Sequence, residues 1–229
     1  MPVRPAFDPE TFTLIPSLGT LPAVPASRLS AASLRERFRN AAQISWVADR
    51  AGDERVYGDT LRAAAVLIGL MDRPTGLTVL LTHRAAHLTD HAGQISFPGG
   101  RCDPEDRDVT DTALREAWEE VALMRERIEP LGVLPNYLTA TAYAVSPVVA
   151  LVHPPFDLRP SLREVSEMFE VPLAFLMDPA HHEIRQMGDG EHSRRVFAMP
   201  YPREGGNGVH FIWGATAGML RNLYRFLIA

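Results

Sequence analysis

The sequence of 229 residues predicts an α/β (α+β) protein, because amphipathic helical segments and apolar strand-like segments both occur along it. Residues 110–123 carry apolar side chains at three- and four-residue spacing, the period of a helix face that packs on a core. Residues 62–71 and 77–84 are continuous apolar runs, which are typical of strands buried on both faces. Residues 216–227 again show helical core spacing.

The first part of the chain differs from the rest. We predict an N-terminal extension over residues 1–60 and the main domain over 61–229. Prolines are frequent in the first 30 residues, which favours an irregular arm. A short helix is expected within residues 34–43, followed by a polar loop over 49–59.

The main domain begins with a predicted hairpin, because turn residues 72–76 separate its two apolar runs. The helix over 110–123 follows, with Asp108 as its N-cap. Further elements are expected in this order: a strand ending near Val133, a strand over 143–152, a polar hairpin over 181–203, a strand over 209–213 and the final helix.

Charge and cysteine content exclude several classes of protein. A net charge of −5 without a basic cluster argues against nucleic-acid binding. The longest apolar run, residues 63–71, is too short to span a membrane. The single cysteine, Cys102, cannot form an intramolecular disulfide, and the N-terminus lacks an apolar signal core. We therefore expect a cytoplasmic protein, for which a homodimer is a candidate assembly.

Three glutamates define the most informative stretch. Glu116, Glu119 and Glu120 fall within about 100° of arc on the helix over 110–123. Like charges this close repel one another, so the arrangement costs stability unless a cation binds there. Hard divalent cations such as Mg²⁺ take carboxylate oxygens as ligands. Arg115, four residues before Glu119, is expected to pair with it.

This stretch resembles a known signature. Gly100, Asp106 and the run Arg115–Glu120 (REAWEE) are similar to the Nudix box, which has a glycine, an acid and then REUxEExGU. Asp106 stands where the box usually has Glu, with one extra residue before Arg115, and Ala122 replaces a glycine that normally ends the helix. The resemblance implies a Nudix fold, in which a mixed β-sheet lies between helices.

The same resemblance implies metal-dependent hydrolysis of a nucleoside diphosphate linked to another group. Glu116, Glu119 and Glu120 would hold Mg²⁺ or Mn²⁺, with Glu116 and Glu120 as principal ligands and Arg115 fixing a carboxylate. The catalytic candidates are Arg115, Glu116, Glu119 and Glu164.

The general base stays open at this stage. A carboxylate from a distant loop suits the task, since the helix carboxylates are engaged by metal or by arginine. Glu164 and Glu167 are the candidates, and both could face the site if their segment is helical. The alternatives are that they form a solvated acidic face and that Glu119 is the base.

A second motif resembles the signature of one Nudix subfamily. The run LLTHRAAHLTDHAGQISFPGG, residues 80–100, resembles the LLTxR and HxGQxxFPGG signature of the coenzyme A pyrophosphatases. This resemblance implies hydrolysis of coenzyme A to 3′,5′-ADP and 4′-phosphopantetheine. Candidate substrate-binding residues are Arg84, His91, Gln94, Gly99 and Gly100.

Two of these candidates have a structural alternative. Arg84 is expected to contact substrate phosphate, because guanidinium matches phosphate geometry, although a surface ion pair is the other interpretation. His91 either contacts substrate or is a hydrogen-bonded structural histidine.

Two rival functions are retained. One is a broader hydrolase that acts on NADH, ADP-ribose or an oxidised nucleotide, which the box does not exclude. The other is a non-enzymatic binding module that keeps the fold. Loss of the glutamates would indicate such a module, and all three are present.

Overall fold

A computed structural model describes residues 9–15, 21–49, 61–85, 93–188, 193–206 and 208–229. The α-helices in these ranges are α1 (Ala31–Arg39), α2 (Val109–Val121), α3 (Leu173–Leu176) and α4 (Gly214–Ile228). The strands are β1 (Thr13–Ile15), β2 (Arg62–Arg73), β3 (Gly76–Arg84), β4 (Ile95–Ser96), β5 (Gly99–Arg101), β6 (Ile128–Val133), β7 (Tyr137–Leu138), β8 (Tyr143–Val152), β9 (Val165–Pro172), β10 (Glu183–Met187), β11 (Arg194–Pro202) and β12 (Val209–Trp213).

The larger sheet is mixed, as the resemblance implied. Its strands follow the order β4-β3-β2-β8-β6, while β5 also pairs with β2, β7 with β8 and β9 with β3. The long central pair, β2 and β8, is parallel, whereas β2 pairs antiparallel with β3. The predicted hairpin of two buried strands is therefore confirmed as β2 and β3.

A second sheet was not predicted. It has the order β1-β10-β11-β12, and its strands are antiparallel. The polar hairpin expected over residues 181–203 corresponds to β10 and β11, and the strand expected over 209–213 is β12. Strands β10, β11 and β12 follow one another in the sequence, whereas β1 lies more than 160 residues before them, so β1 could not be assigned to this sheet from local pattern.

The mixed sheet has a hydrophobic core on each face. On one face, α2 packs through Ala113, Leu114, Ala117 and Val121. On the other face, a larger core includes side chains of α1, α4 and the second sheet. The expected arrangement of a mixed sheet between helices is confirmed.

Part of the N-terminal extension packs on the main domain. Leu34 and Phe38 of α1 are buried in the larger core. Arg35 forms an ion pair with Glu129, and the Arg37 guanidinium donates to the carbonyl oxygen of Phe226. Ser30 caps α1 by accepting a hydrogen bond from the Ser33 amide. The boundary near residue 60 stays a prediction.

Two further expectations can be compared with the structure. The acidic segment from Glu164 onward is a turn followed by β9, and it is not helical. Most of the predicted polar loop over 49–59 lies outside the described residues. Within the part of the chain that the structure describes, no helix is long and apolar enough to cross a membrane.

Candidate active site

Helix α2 is held at both ends by local interactions. Asp108 accepts a hydrogen bond from the Asp111 amide (2.8 Å), which confirms the predicted N-cap. At the other end Ala122 adopts the left-handed conformation (φ 55°, ψ 31°) that usually requires glycine. The Leu123 amide donates to the carbonyl oxygen of Ala117, which closes the last turn. The helix therefore ends in the usual way despite the alanine.

Strand β5 brings backbone against the acidic helix. Gly99 and Gly100 pair with Val66 and Ala65 of β2. A β-carbon on Gly100 would lie 2.4 Å from Oε1 of Glu116. Glycine at position 100 therefore allows the backbone of β5 to approach the Glu116 carboxylate closely.

Arg115 contacts three carboxylates, those of Asp106, Glu116 and Glu119, which together with Glu120 we call the acidic cluster. Its Nε and Nη2 donate to the two carboxylate oxygens of Asp106 (2.9 and 3.0 Å). Its Nη1 donates to Glu116 (2.9 Å) and Glu119 (3.3 Å), so the predicted pairing with Glu119 is present. The hydrogen bonds from Arg115 hold the pKa of Asp106 well below its usual range. Asp106 therefore fixes the arginine that orients the neighbouring glutamates.

Glu120 is the most deeply buried of the three glutamates, with 2% of the residue exposed. Its Oε2 accepts a long hydrogen bond from the Gly99 amide (3.4 Å), and its Oε1 lies 3.6 Å from Arg84 Nη1. Burial raises its pKa to about 8, because Arg84 and Gly99 only partly offset the lost hydration. Glu120 is therefore a buried carboxylate whose cationic neighbour, Arg84, lies at ion-pair distance.

The other two glutamates differ in exposure. Burial raises the pKa of Glu116 despite its hydrogen bond from Arg115. Glu119 has a side chain that is 51% exposed and lies at the outer edge of the cluster.

Glu164 lies close enough to interact electrostatically with this cluster. Its negative charge contributes to the raised pKa values of Glu116 and Glu120. Its position is fixed by the backbone: the Ala85 amide donates to the Glu164 carbonyl, and the Ser161 amide donates to the Glu120 carbonyl. Glu167, which lies on β9, is not part of this group, because it pairs with Arg203.

The structure thus brings together eight of the residues that the sequence singled out as candidates: Arg84, Gly99, Gly100, Arg115, Glu116, Glu119, Glu120 and Glu164. The carbonyl oxygen of Gln94 accepts from the Arg84 amide, so Gln94 flanks the group. His91 lies outside the described residues.

The carboxylates of α2 are turned toward arginines. Their oxygens are not gathered into one compact ligand group. Among the described residues, the one such group with three ligand atoms within 4.8 Å of one another is formed by His83, Glu167 and His210. Mutual repulsion between the α2 glutamates favours their pairing with Arg115 and Arg84. The donor set fits Mg²⁺ or Mn²⁺, because it offers only carboxylate oxygens and includes the buried Glu120.

Sequence reasoning missed the group around His83. His83 Nε2 lies 3.2 Å from His210 Nδ1 and 3.3 Å from Arg203 Nη2, and Arg203 also donates to Glu167. The His210 ring stacks on Phe169 (3.7 Å between centroids). These residues come from three distant segments, so no spacing in the sequence could have indicated the group.

Comparisons with known proteins identify the family of this chain. A family model described as the NUDIX domain matches residues 60–194. Proteins of Escherichia coli O1:K1 and Shigella boydii serotype 18, both named "Uncharacterized Nudix hydrolase NudL", are 44% identical to this chain over 166 residues, covering 71% of this chain and 81% of each relative. A crystal structure of the M. smegmatis Nudix hydrolase RenU is a more distant match (TM-score 0.44, 23% identity, 56% of this chain and 80% of that chain). The family model and the 44% identical relatives show that this chain belongs to the Nudix hydrolase family.

Proposed function

We propose that this Nudix hydrolase cleaves the diphosphate of coenzyme A or an acyl-coenzyme A, giving 3′,5′-ADP and 4′-phosphopantetheine from coenzyme A itself. One observation carries the proposal: residues 80–100, which resemble the coenzyme A pyrophosphatase signature, meet the Nudix-box helix α2 at Glu120. Arg84 Nη1 lies 3.6 Å from Glu120 Oε1, and the Gly99 amide lies 3.4 Å from Glu120 Oε2. A substrate bound by the first motif would therefore have its diphosphate beside the carboxylates of the second.

We propose that Glu116 and Glu120 hold Mg²⁺ or Mn²⁺, with Glu119 sharing it or a second ion. Such an ion, when bound, neutralises phosphate oxygens and lowers the pKa of the attacking water. The buried carboxylate of Glu120 supports this assignment, because a cation would compensate the charge that burial otherwise penalises.

The remaining residues have distinct proposed roles. Arg84 would turn from Glu120 to the oxygens of the diphosphate, because its guanidinium offers paired donors that match a phosphate. Arg115 would keep Glu116 and Glu119 oriented while Asp106 fixes the arginine itself. Glu164 would accept the proton of the attacking water, since among the described residues the neighbouring Arg84 and Arg115 pair with other carboxylates.

The two rivals make different predictions. A broader hydrolase would cleave NADH, ADP-ribose or an oxidised nucleotide as well as coenzyme A. A binding module would bind a nucleotide without turnover; the retained glutamates argue against it.

We also propose a cytoplasmic location, because a single cysteine suits a reducing compartment. A homodimer is proposed as the assembly, for which light scattering is the direct measurement.

The test is a substrate panel at fixed Mg²⁺ with identification of products. We expect coenzyme A to have a much higher kcat/KM than ADP-ribose, NADH or an oxidised nucleotide, and 3′,5′-ADP to be a product. Comparable kcat/KM values across the panel would favour the broader hydrolase. Tight nucleotide binding without any product would favour the binding module.

A further inference from the structure

Two arginines flank one tyrosine at the end of the mixed sheet nearest the acidic cluster. The Arg62 guanidinium lies over the Tyr143 ring, 4.1 Å from its centroid. Arg101 Nε donates to the Tyr143 hydroxyl (2.7 Å), and the Arg101 guanidinium carbon lies 5.6 Å from the same centroid. We call Arg62 and Arg101 the arginine pair.

The arginine pair has no carboxylate partner among the described residues. Arg62 Nη2 donates to the Thr141 carbonyl oxygen, and Arg101 uses Nε for Tyr143. The other donors of both side chains have no protein acceptor in the described part of the chain, and both residues are exposed. Many other arginines of the protein are neutralised by an acid, as in the pairs Arg35–Glu129, Arg73–Glu170, Arg115–Asp106, Arg185–Glu183, Arg203–Glu167 and Arg221–Asp49.

Tyr143 holds the two cations near each other, although like charges repel. Stacking on an aromatic ring and bonding through Nε both restrict the guanidinium groups, so less conformational entropy is lost when an anion binds. The terminal N–H groups of Arg101 form the fork that matches a phosphate. A dianion would relieve the repulsion between the two arginines.

The position of the pair relates it to the candidate active site. Arg101 follows Gly100, whose β-carbon position is 2.4 Å from Glu116, and the Arg101 carbonyl accepts a hydrogen bond from Arg115. Gly100 pairs with Ala65, which lies in the α2-side core, whereas Arg101 pairs with Ala64 of the opposite core.

Strand β5 therefore carries groups for both faces of the sheet. Side chains alternate along a strand, so the Arg101 side chain leaves toward the face opposite the glutamates. Among the described strands β5 pairs with β2 alone, so no described strand covers its other edge. A substrate could pass around this edge, with its diphosphate at the glutamates and a second anionic group at the arginine pair.

We propose that the arginine pair, held by Tyr143, binds a phosphate monoester of the substrate that is separate from the diphosphate being cleaved. This inference rests on the proposed function, under which that group is the 3′-phosphate of coenzyme A. The 3′-phosphate is on the same ribose whose 5′ oxygen carries the diphosphate, so the two groups are one sugar ring apart. The arginine pair is then the specificity determinant that distinguishes coenzyme A from dephospho-coenzyme A.

The first experiment compares kcat/KM for coenzyme A and dephospho-coenzyme A in the full chain with Mg²⁺. The wild-type ratio is expected to favour coenzyme A, and Arg62→Gln, Arg101→Gln and the double variant are expected to reduce that ratio by about 10- to 100-fold, the range of one to two charge-assisted hydrogen bonds. Arg101→Lys keeps the charge but loses the fork, so its ratio should fall between those of wild type and Arg101→Gln. Arg159→Gln, which removes an exposed ion pair with Asp157, is the matched control and should keep the wild-type ratio.

The second experiment measures binding by calorimetry and does not depend on turnover. 3′,5′-ADP should bind more tightly than 5′-AMP to the wild type, and this difference should shrink in the double variant, whose melting temperature verifies that it is folded. A folded double variant that retains the wild-type difference would overturn the proposal.

The two proposals can fail separately. If the wild type cleaves coenzyme A and dephospho-coenzyme A equally well, the inference about the arginine pair is wrong while the proposed function stands. If neither is cleaved but ADP-ribose or NADH is, the proposed function is wrong. In that case the pair is supported if the 3′,5′-ADP preference is lost in the double variant, and overturned if the preference is absent from the wild type.

Discussion

A β-carbon on Gly100 would lie 2.4 Å from Oε1 of Glu116, so this glycine sets the position of the neighbouring carboxylate. Gly99, the preceding residue, is constrained differently. Its β-carbon would lie 2.5 Å from the carbonyl oxygen of Ala65 and 2.7 Å from the α-carbon of Val66, which are both backbone atoms. The end of a glutamate side chain can move aside, whereas the backbone of the central strand cannot.

The two glycines should therefore give different phenotypes when each is changed to alanine. Gly100→Ala should reduce kcat/KM by about 100-fold, because displacement of a ligand by about 1 Å has that effect, with little change in the free energy of unfolding. Gly99→Ala should lower the free energy of unfolding by about 3 kcal/mol through overpacking. Urea unfolding and steady-state kinetics on both variants check this, and an unaltered rate in folded Gly100→Ala would contradict it.

Glu120→Gln should separate metal binding from folding. Gln keeps the shape of Glu120 but removes its charge, so activity should fall by about 10³-fold or more. In EDTA the melting temperature should not fall, because Gln carries no charge that burial would penalise. The increase in melting temperature that Mg²⁺ gives the wild type should be lost.

The control for Glu120→Gln is Glu126→Gln, which changes an exposed glutamate just after α2. It should keep the wild-type rate and the response of the melting temperature to Mg²⁺. Near-normal turnover by Glu120→Gln would overturn the assignment of this residue as a ligand.

The base assignment predicts unequal effects at two glutamates three residues apart. Glu164 interacts electrostatically with Glu116 and Glu120, whereas Glu167 is paired with Arg203. Glu164→Gln should therefore lower kcat by about 100-fold or more with little change in KM. Glu167→Gln should keep a kcat near that of wild type. If both variants retain the wild-type kcat, the base lies on α2 and Glu119 becomes the leading candidate.

The end of α2 offers a stabilising substitution. Ala122 has a φ of 55°, and this left-handed conformation costs a non-glycine residue about 1 kcal/mol. Ala122→Gly should raise the free energy of unfolding by somewhat less than that amount, because glycine also increases the entropy of the unfolded chain. Ala117→Gly, within the same helix, is the opposite control and should destabilise. A loss of stability in Ala122→Gly would show that the strain is absent.

A buried histidine should make stability depend on pH. His182 is 7% exposed, and its Nε2–H donates to the Leu176 carbonyl (2.7 Å). Its Nδ1 accepts from Arg221 Nη1 (3.0 Å), so a second proton would face that cation. Burial lowers the pKa of His182 to about 4, although the Leu176 hydrogen bond opposes the shift.

Because the pKa of His182 is lower in the folded state, the unfolded chain binds the extra proton first. The stabilisation is complete above the unfolded pKa of about 6.5 and is lost as the pH falls toward 4, a difference of about 3 kcal/mol. Urea unfolding between pH 7 and pH 4.5 should show this decline for the wild type. His182→Gln should be less stable at pH 7 but have a smaller pH slope, and an equal slope in both proteins would contradict the assignment.

Much of the helix and strand content could be predicted because it depends on near neighbours. The cap at Asp108 and the stripe of apolar residues on α2 involve side chains within a few positions of one another. The same holds for the continuous apolar runs that form β2 and β3 on either side of their turn. The conformation of Ala122 was the exception, since alanine gives no signal for a left-handed residue.

Helix α2, its three glutamates and the β2–β3 hairpin could be inferred from local sequence pattern, since periodicity and caps act over a few residues. The partners of charged groups that lie far apart in the sequence depend on how the elements pack. Arg84 meets Glu120, Glu164 separates from Glu167, and Arg101 meets Tyr143. These contacts follow from strand register and from the packing of α2 on the sheet. Because they join segments that are far apart in the chain, no spacing in the sequence indicates them.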